Sequence, residues 1–507
     1  MAPTTAAPPT GAPPTGALTI GIDIGTTSTI GIAIDTAGRV LALASRPVDL
    51  ASPHPGWAEE DPRQWWANVR AIVPELLRDA AIRSEQVAAV GVTGMLPAAV
   101  LLDDAGALLR PSIQQSDGRT GAEVDALARQ IDAAPFLART GQGITQQLVA
   151  PKLRWLARHE PAVFARIATV FGSYDFINWK LTGHRGTERN WALEAGFLDL
   201  ATDDLAPDLV ALGGVPASAV PRARAAQDVI GTVSESAARE TGLAAGTKVI
   251  AGCADHVASA FVAGIVDPGD LLIKFGGAGD ILLSVAQAMP DRRLFLDYHL
   301  IPGRFMPNGC MAASGAVLNW IRREFAPHET HRSLDARAAA LPPGADGLVM
   351  LPYFLGEKTP IHDPAARGTL VGLGLHHTIG HVWRAALEAV CFGFRHHVEV
   401  MRALGYDVSR VVASDGGAAS PVWMQIAADV LGQPVQLLAG HPGSCLGAAY
   451  AAGVGVGAIA DWGAIDRFVA RASVVAPDAG RHAAYTRIYA AYREVYDRLH
   501  TLYPRLT

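Results

Sequence analysis

From Leu18 onward, short apolar and β-branched runs broken by glycine predict three strands, LTIGIDIG, TSTIGIAID and RVLALASRPVDL, with a turn at Thr36–Gly38. The period then lengthens. DPRQWWANVRAIVPELLRDA reads as a helix from Pro62, with Asp61 as N-cap and proline in the first helical position. AAVGVTGM and AAVLLDDAGALL read as strands again, so the class is α/β, with helices packed on a sheet that opens as hairpins. Near Asp267–Asp270 the pattern restarts: DPGDLLIKFGGAGDILLSV sets a Gly-rich turn between two apolar strands, as GIDIGTTSTIGIAI does at the start. Two similarly opened halves predict a duplicated fold with a boundary near Gly264. Helical stretches close the chain, in HVWRAALEAVCFGFRHHVEVMRAL, SPVWMQIAADVLG and AAYTRIYAAYREVYDRLHTLY.

Composition narrows the function classes. At 507 residues the chain exceeds one ordinary core and predicts two or three domains. The formal charge of −6 and the lack of a basic stripe exclude a nucleic-acid partner. Cys253, Cys310, Cys391 and Cys445 stand far apart without a CxxC pair, which fits reduced thiols in a cytoplasmic protein. No apolar run of about eighteen residues escapes a charge, Gly or Pro, so no transmembrane helix and no membrane partner are expected. The opening MAPTTAAPPTGAPPTGA lacks the basic and apolar regions of a signal peptide and reads as a disordered Pro-rich tail.

Candidate chemistry gathers at Gly-rich turns, none of them a P-loop. Gly21-Ile-Asp-Ile-Gly-Thr-Thr-Ser28 offers backbone N–H groups and hydroxyls that suit phosphate oxygens, with Asp23 able to hold Mg²⁺ through water; an ordinary hairpin turn is the alternative. Gly276-Gly-Ala-Gly-Asp280 is its counterpart in the second half. Ser414-Asp-Gly-Gly-Ala-Ala-Ser420 is either a nucleotide-binding turn or a plain helix entry. Asp255, after the apolar strand TKVIAGC and before a small-residue helix, suits proton abstraction from a substrate hydroxyl, or else is a helix N-cap. His328 and His331 have ligand spacing without a third ligand, which reads as a solvated surface pair, and Trp65/Trp66 read as packing.

Taken in order, these segments resemble the FGGY carbohydrate kinases, in their xylulokinase-like branch, from about Leu18 to Gly457. The match runs through GIDIGTTST, PGWAEEDPRQWW, PKLRWLARHEP, GCADHVASA, SGAVLNW, PYFLGEKTPIHDPAARGTLVGL, SDGGAASPVWMQIAADVLG and GSCLGAAYAAGVG. The resemblance implies two actin-like (ribonuclease-H-like) domains with the active site in the interdomain cleft: an N-terminal domain over 18–264 and a C-terminal domain over 265–507, after a tail over 1–17. It implies ATP and Mg²⁺ as cofactors and a small sugar or polyol as partner, with a homodimer as the alternative to a monomer. Gly25, Thr26, Thr27 and Ser28 fall on the first phosphate loop and Asp23 toward the metal. Gly276, Gly277 and Gly279 fall on the second loop, and Gly315, Asn319, Gly416, Gly417 and Ser420 around the adenosine. Asp255 matches the general base, while Met95, Leu96, Gln115, Asp117 and His256 fall at sugar-pocket positions.

The departures bear on substrate. Met95-Leu96-Pro97 stands where xylulokinases usually have Met-His-Gly, Gln115-Ser116-Asp117 where they have Trp-Asn-Asp or Trp-Cys-Asp, and His256 where Asn follows the base. Gly276-Gly277-Ala278-Gly279 lacks the two hydroxyls of Gly-Thr-Ser-Gly. The expected activity is phosphorylation of a small ketose or polyol, with D-xylulose discriminated against. A sugar- and nucleotide-binding relative with a regulatory role and no transfer is the alternative, and an actin-like filament or chaperone ATPase a further one.

Overall fold

The computed structural model describes residues 17–441 and 443–506. Apart from Ala17, the expected tail lies outside them.

Two compact units divide the chain after Gly264. The first takes back two later segments, Leu296–Gly303 and the stretch ending at Phe468 that carries the helix Ser444–Gly455, so one cut at 264/265 does not describe it. The second unit holds the remainder.

In the first unit the expected meander is present as β1 (Leu18–Ile24), β2 (Ser28–Asp35) and β3 (Val40–Pro47), each antiparallel to the next. β4 (Val87–Gly94), β5 (Val229–Thr232) and β6 (Lys248–Ile250) extend the sheet in the order β5-β6-β4-β1-β2-β3, and the short β7 (Cys253–Ala254) pairs in parallel with the end of β4. Leu18, Ile20, Ile22 and Ile24, at every second position, share one face of β1 and are all fully buried. Burial of each such side chain contributes about 2 kcal/mol. On one face the helix Ser444–Gly455 approaches so closely that a Cβ at Gly21 or Gly91 would overlap the carbonyls of Cys445 and Ala448, which is why this distant segment belongs to the first unit. On the other face lies the helix Pro62–Asp79, whose N-cap is Asp61, accepting from the Arg63 N–H at 2.9 Å as expected.

The second unit repeats the plan. β8 (Asp270–Phe275) and β9 (Gly279–Leu283) form the antiparallel hairpin, β10 (Phe305–Met311) follows β9, and β11 (Arg410–Ser414) runs parallel to β8. β12 (Val435–Leu438) and β13 (Arg471–Val475) continue this seven-stranded sheet, which includes the run β10-β9-β8-β11-β12-β13. A hairpin followed by a parallel neighbour in both sheets is the duplication that the sequence suggested. The core centres on the helix Ile379–Ala403, against which Tyr485, Tyr489 and Tyr492 of the closing helix pack. Among the described residues no helix is long and apolar enough to cross a membrane.

Candidate functional site

In the first unit, register brings three candidates to one edge. Ile24 pairs with Gly94, and Gly94 with Ala254, so Gly25, Met95 and Asp255 leave the carboxyl ends of three adjacent parallel strands side by side. Open α/β sheets bind ligands at this edge. Gly25 closes the β1–β2 turn by donating to the Ser28 carbonyl at 3.1 Å, with Thr26 half-buried and Thr27 exposed above it. Asp23, one turn below, accepts from Ser444 Oγ at 2.6 Å. The Met95 carbonyl accepts from Ser173 Oγ at 2.8 Å, and the next residues, Leu96 and Pro97, continue as a buried apolar wall whose Pro97 carbonyl takes a bond from Lys152 Nζ at 3.0 Å.

Asp255 opens the helix Asp255–Val262 as its first residue, and the cap is Ala254, which corrects the N-cap alternative. Its Oδ1 accepts from the His256 backbone N–H at 2.6 Å and lies 3.3 Å from His256 Nδ1. On the far side of the ring, His256 Nε2 is 2.8 Å from Asp297 Oδ2 and 3.7 Å from Glu194 Oε1. Burial alone would strip the imidazole of its second proton, but Asp297, Asp255 and Glu194 outweigh it and hold the His256 pKa well above its ordinary value. Burial, then Asp297, push the Glu194 carboxyl well above its usual range.

Asp117 is placed differently from the expectation of a sugar reader. It is fully buried, its Oδ1 accepting from Arg119 Nε at 2.8 Å and its Oδ2 from the Ala58 N–H at 2.6 Å and Arg119 Nη2 at 2.7 Å. Burial would raise this carboxyl; the Arg119 guanidinium, stacked 3.7 Å over Trp57, and the Ala58 N–H reverse that and hold it below the usual range. Asp117 thus fixes its loop, leaving half-buried Gln115 as the neighbouring polar group.

In the second unit the same edge carries a cavity of about 910 Å³, lined by Gly276, Gly277, Gly315, Asn319, Gly416, Gly417 and Ser420 among others. Seven residues spread from 276 to 420 in the sequence therefore meet around one space. The β8–β9 turn is tied to the helix Gly315–Phe325, since the Gly276 and Gly277 carbonyls accept from the Gly315 and Ser314 N–H groups, each at 2.8 Å. Gly279 stands behind the turn, paired with Met311 of β10, and is absent from the lining. Ser420 caps the helix Pro421–Leu431 and donates to Asp335 at 2.7 Å.

His331, read from sequence as half of a solvated pair, is a wall of this cavity: its Nε2 is 3.0 Å from Asn319 Oδ1 and its ring 5.5 Å from Trp383. Sequence reasoning also missed Asp335, Glu194 and Asp297. Only Asp297 leaves a local signal, as a lone carboxylate in the apolar run Leu294-Phe-Leu-Asp-Tyr, where a buried charge demands partners.

Residues 18–262 match the N-terminal domain, and 290–456 the C-terminal domain, of the FGGY family of carbohydrate kinases. Xylulose kinase of Bacillus subtilis (strain 168) is 29% identical over 480 residues, covering 94% of this chain and 96% of that protein. Glycerol kinase of Beutenbergia cavernae is 30% identical over 457 residues, covering 86% and 89%. Among solved structures, a xylulose kinase from Rhodospirillum rubrum superposes with a TM-score of 0.92 at 55% identity, covering 96% of this chain and 99% of that one.

Proposed function

Because this chain belongs to the FGGY family of carbohydrate kinases, we propose that it transfers the γ-phosphoryl group of ATP to a hydroxyl of a small ketose of the xylulose kind. The observation that carries this reading is the shared edge of β1, β4 and β7, where Asp255 emerges beside Gly25 and Met95. In the step proposed, the acceptor hydroxyl gives its proton to Asp255 as its oxygen bonds to the γ-phosphorus, and the bond from that phosphorus to the β,γ-bridging oxygen breaks, releasing ADP.

On this reading the turn of Gly25, Thr26, Thr27 and Ser28 serves phosphate oxygens, and so does the turn of Gly276 and Gly277. The adenosine takes the 910 Å³ cavity, where Gly315, Asn319, Gly416, Gly417 and Ser420 are already assembled. The volume suits a nucleoside. Backbone N–H groups in the second loop serve phosphate without the two absent hydroxyls. A carboxylate at a strand end beside a hydroxyl is a donor set that fits Mg²⁺; Asp23 would hold it, and its charge would neutralise the phosphates. Met95, Leu96 and Gln115 face the sugar. A regulatory relative without transfer is not favoured, since the relatives named above are kinases.

The test is ADP release by the full chain with MgATP over a panel of ketoses, aldoses and polyols that includes D-xylulose. A ketose-dependent signal is expected; no signal with any of them would refute the reading.

A further inference from the structure

Resting on the reading of Asp255 as the base, we propose that His256 is its positioning residue: anchored through Nε2 by Asp297, it fixes Oδ1 of Asp255 and so aims the carboxylate at the acceptor. Three distances carry this. Asp297 Oδ2 is 2.8 Å from Nε2, Asp255 Oδ1 is 3.3 Å from Nδ1, and the His256 backbone N–H holds that same Oδ1 at 2.6 Å. One oxygen of Asp255 is therefore held twice by a single residue, whose ring is itself pinned from behind.

The anchor is rigid. Asp297 has no side-chain exposure, and the neighbouring backbone is clamped by Asn190, whose Nδ2 donates to the Tyr298 carbonyl at 2.9 Å and whose Oδ1 accepts from the Tyr298 N–H at 2.7 Å. Asn190 belongs to the helix Arg189–Glu194, which also supplies Glu194, 3.7 Å from Nε2.

An imidazole facing three carboxylates, Asp255 from its own helix, Asp297 and Glu194, keeps its second proton. Lys152, from the helix Val149–His159, and Cys253 are further titratable groups in this neighbourhood; burial brings the lysine pKa down to about 7, and its charge acts on Glu194, while burial raises the thiol. A cation beside the base favours its ionised form before transfer. During transfer the acceptor proton passes to Asp255, the acceptor oxygen bonds to phosphorus and ADP departs, while His256 holds the same protons throughout. The residue thus orients and charges the site without exchanging a proton with the substrate. Asn, usual in xylulokinases after the base, could not bring the positive charge that His256 sets 2.8 Å from Asp297, so the His256–Asp297 pair acts as a unit.

The experiment compares the full-length wild type with His256→Gln, Asp297→Asn and Asp255→Asn, recording kcat and KM with D-xylulose and MgATP from about pH 5 to 9, with a thermal melt of each variant. Gln at 256 keeps a neutral donor toward Asp297 and loses the charge. The expected result for His256→Gln is a kcat loss of roughly 10²-fold, an unchanged KM for ATP, and an acidic limb of kcat/KM moved to higher pH. Asp297→Asn moves both in the same direction, and decides the matter should His256→Gln melt early. If His256→Gln and Asp297→Asn both stay within about threefold of wild type with the limb unmoved while Asp255→Asn is inactive, His256 only neutralises buried acids and the proposal falls. If Asp255→Asn itself retains turnover, the base assignment fails first, and this inference with it.

Discussion

Ser444 Oγ donates to Asp23 Oδ2 at 2.6 Å, joining the first sheet's opening strand to a helix 421 positions later in the chain. A hydrogen bond to a charged group is worth about 1.5–3 kcal/mol. Ser444→Ala should therefore lower the melting temperature by roughly 1–2 °C per kcal/mol lost, with Ser444→Thr restoring most of it, and Asp23→Asn should cost far more turnover than either. Melting curves and kcat on the three variants check this. A Ser444→Ala protein that melts with the wild type would show that the bond is not what seats Asp23.

Gly416 lines the cavity of the second unit, and a Cβ there would meet nothing within 4 Å. Gly416→Val should fold with an unchanged melting temperature and raise KM for ATP about tenfold, the equivalent of 1.4 kcal/mol of lost binding. Unchanged KM at full stability would move the nucleotide elsewhere.

The hairpins were legible because β-branched runs bounded by glycine leave few alternatives, and the second hairpin was legible as a copy of the first. The return of Ser444–Gly455 to the first unit was not, since it follows from the closeness of Gly21 and Gly91 to a helix that no local pattern links to them. Gly315, Asn319, Gly416, Gly417 and Ser420 were grouped by the family resemblance and not by the turns themselves, and His331 and Asp335 reach the same cavity by tertiary packing alone. Asp117 shows a related limit: its motif position suggested a ligand, while the partners it has within the protein, Arg119 two residues on and the Ala58 N–H, leave no mark in the local pattern.

Glu357 gives the account a pH signature. Burial raises its pKa to about 8, although its Oε1 accepts from the Ala312 and Lys358 N–H groups at 2.7 and 2.8 Å. A folded pKa above the unfolded one means that this group's contribution to stability is fully present below about pH 4.5 and is lost as pH rises through 8. Glu357→Gln keeps the acceptor and removes the titration. Its melting temperature should fall less steeply than the wild type's across that window and be the higher of the two above pH 8. Parallel curves would refute the assignment.

Leu96, buried where the xylulokinase pattern carries histidine, offers no hydrogen bond to a sugar hydroxyl. An unpaired buried polar group costs about 1–3 kcal/mol, so Leu96→His should raise kcat/KM for D-xylulose by roughly 5- to 150-fold relative to a ketose or polyol lacking that hydroxyl. Should D-xylulose already be the best substrate by a wide margin, and Leu96→His leave it unimproved, the pocket argument fails while the kinase assignment stands.

The most direct measurement is ADP release from MgATP and D-xylulose by the full-length protein and its Asp255→Asn variant. The account predicts sugar-dependent release by the wild type, and a loss of about 10²–10⁴-fold in Asp255→Asn at unchanged melting temperature and unchanged KM for ATP. A variant that folds as the wild type does and keeps most of its turnover would contradict it.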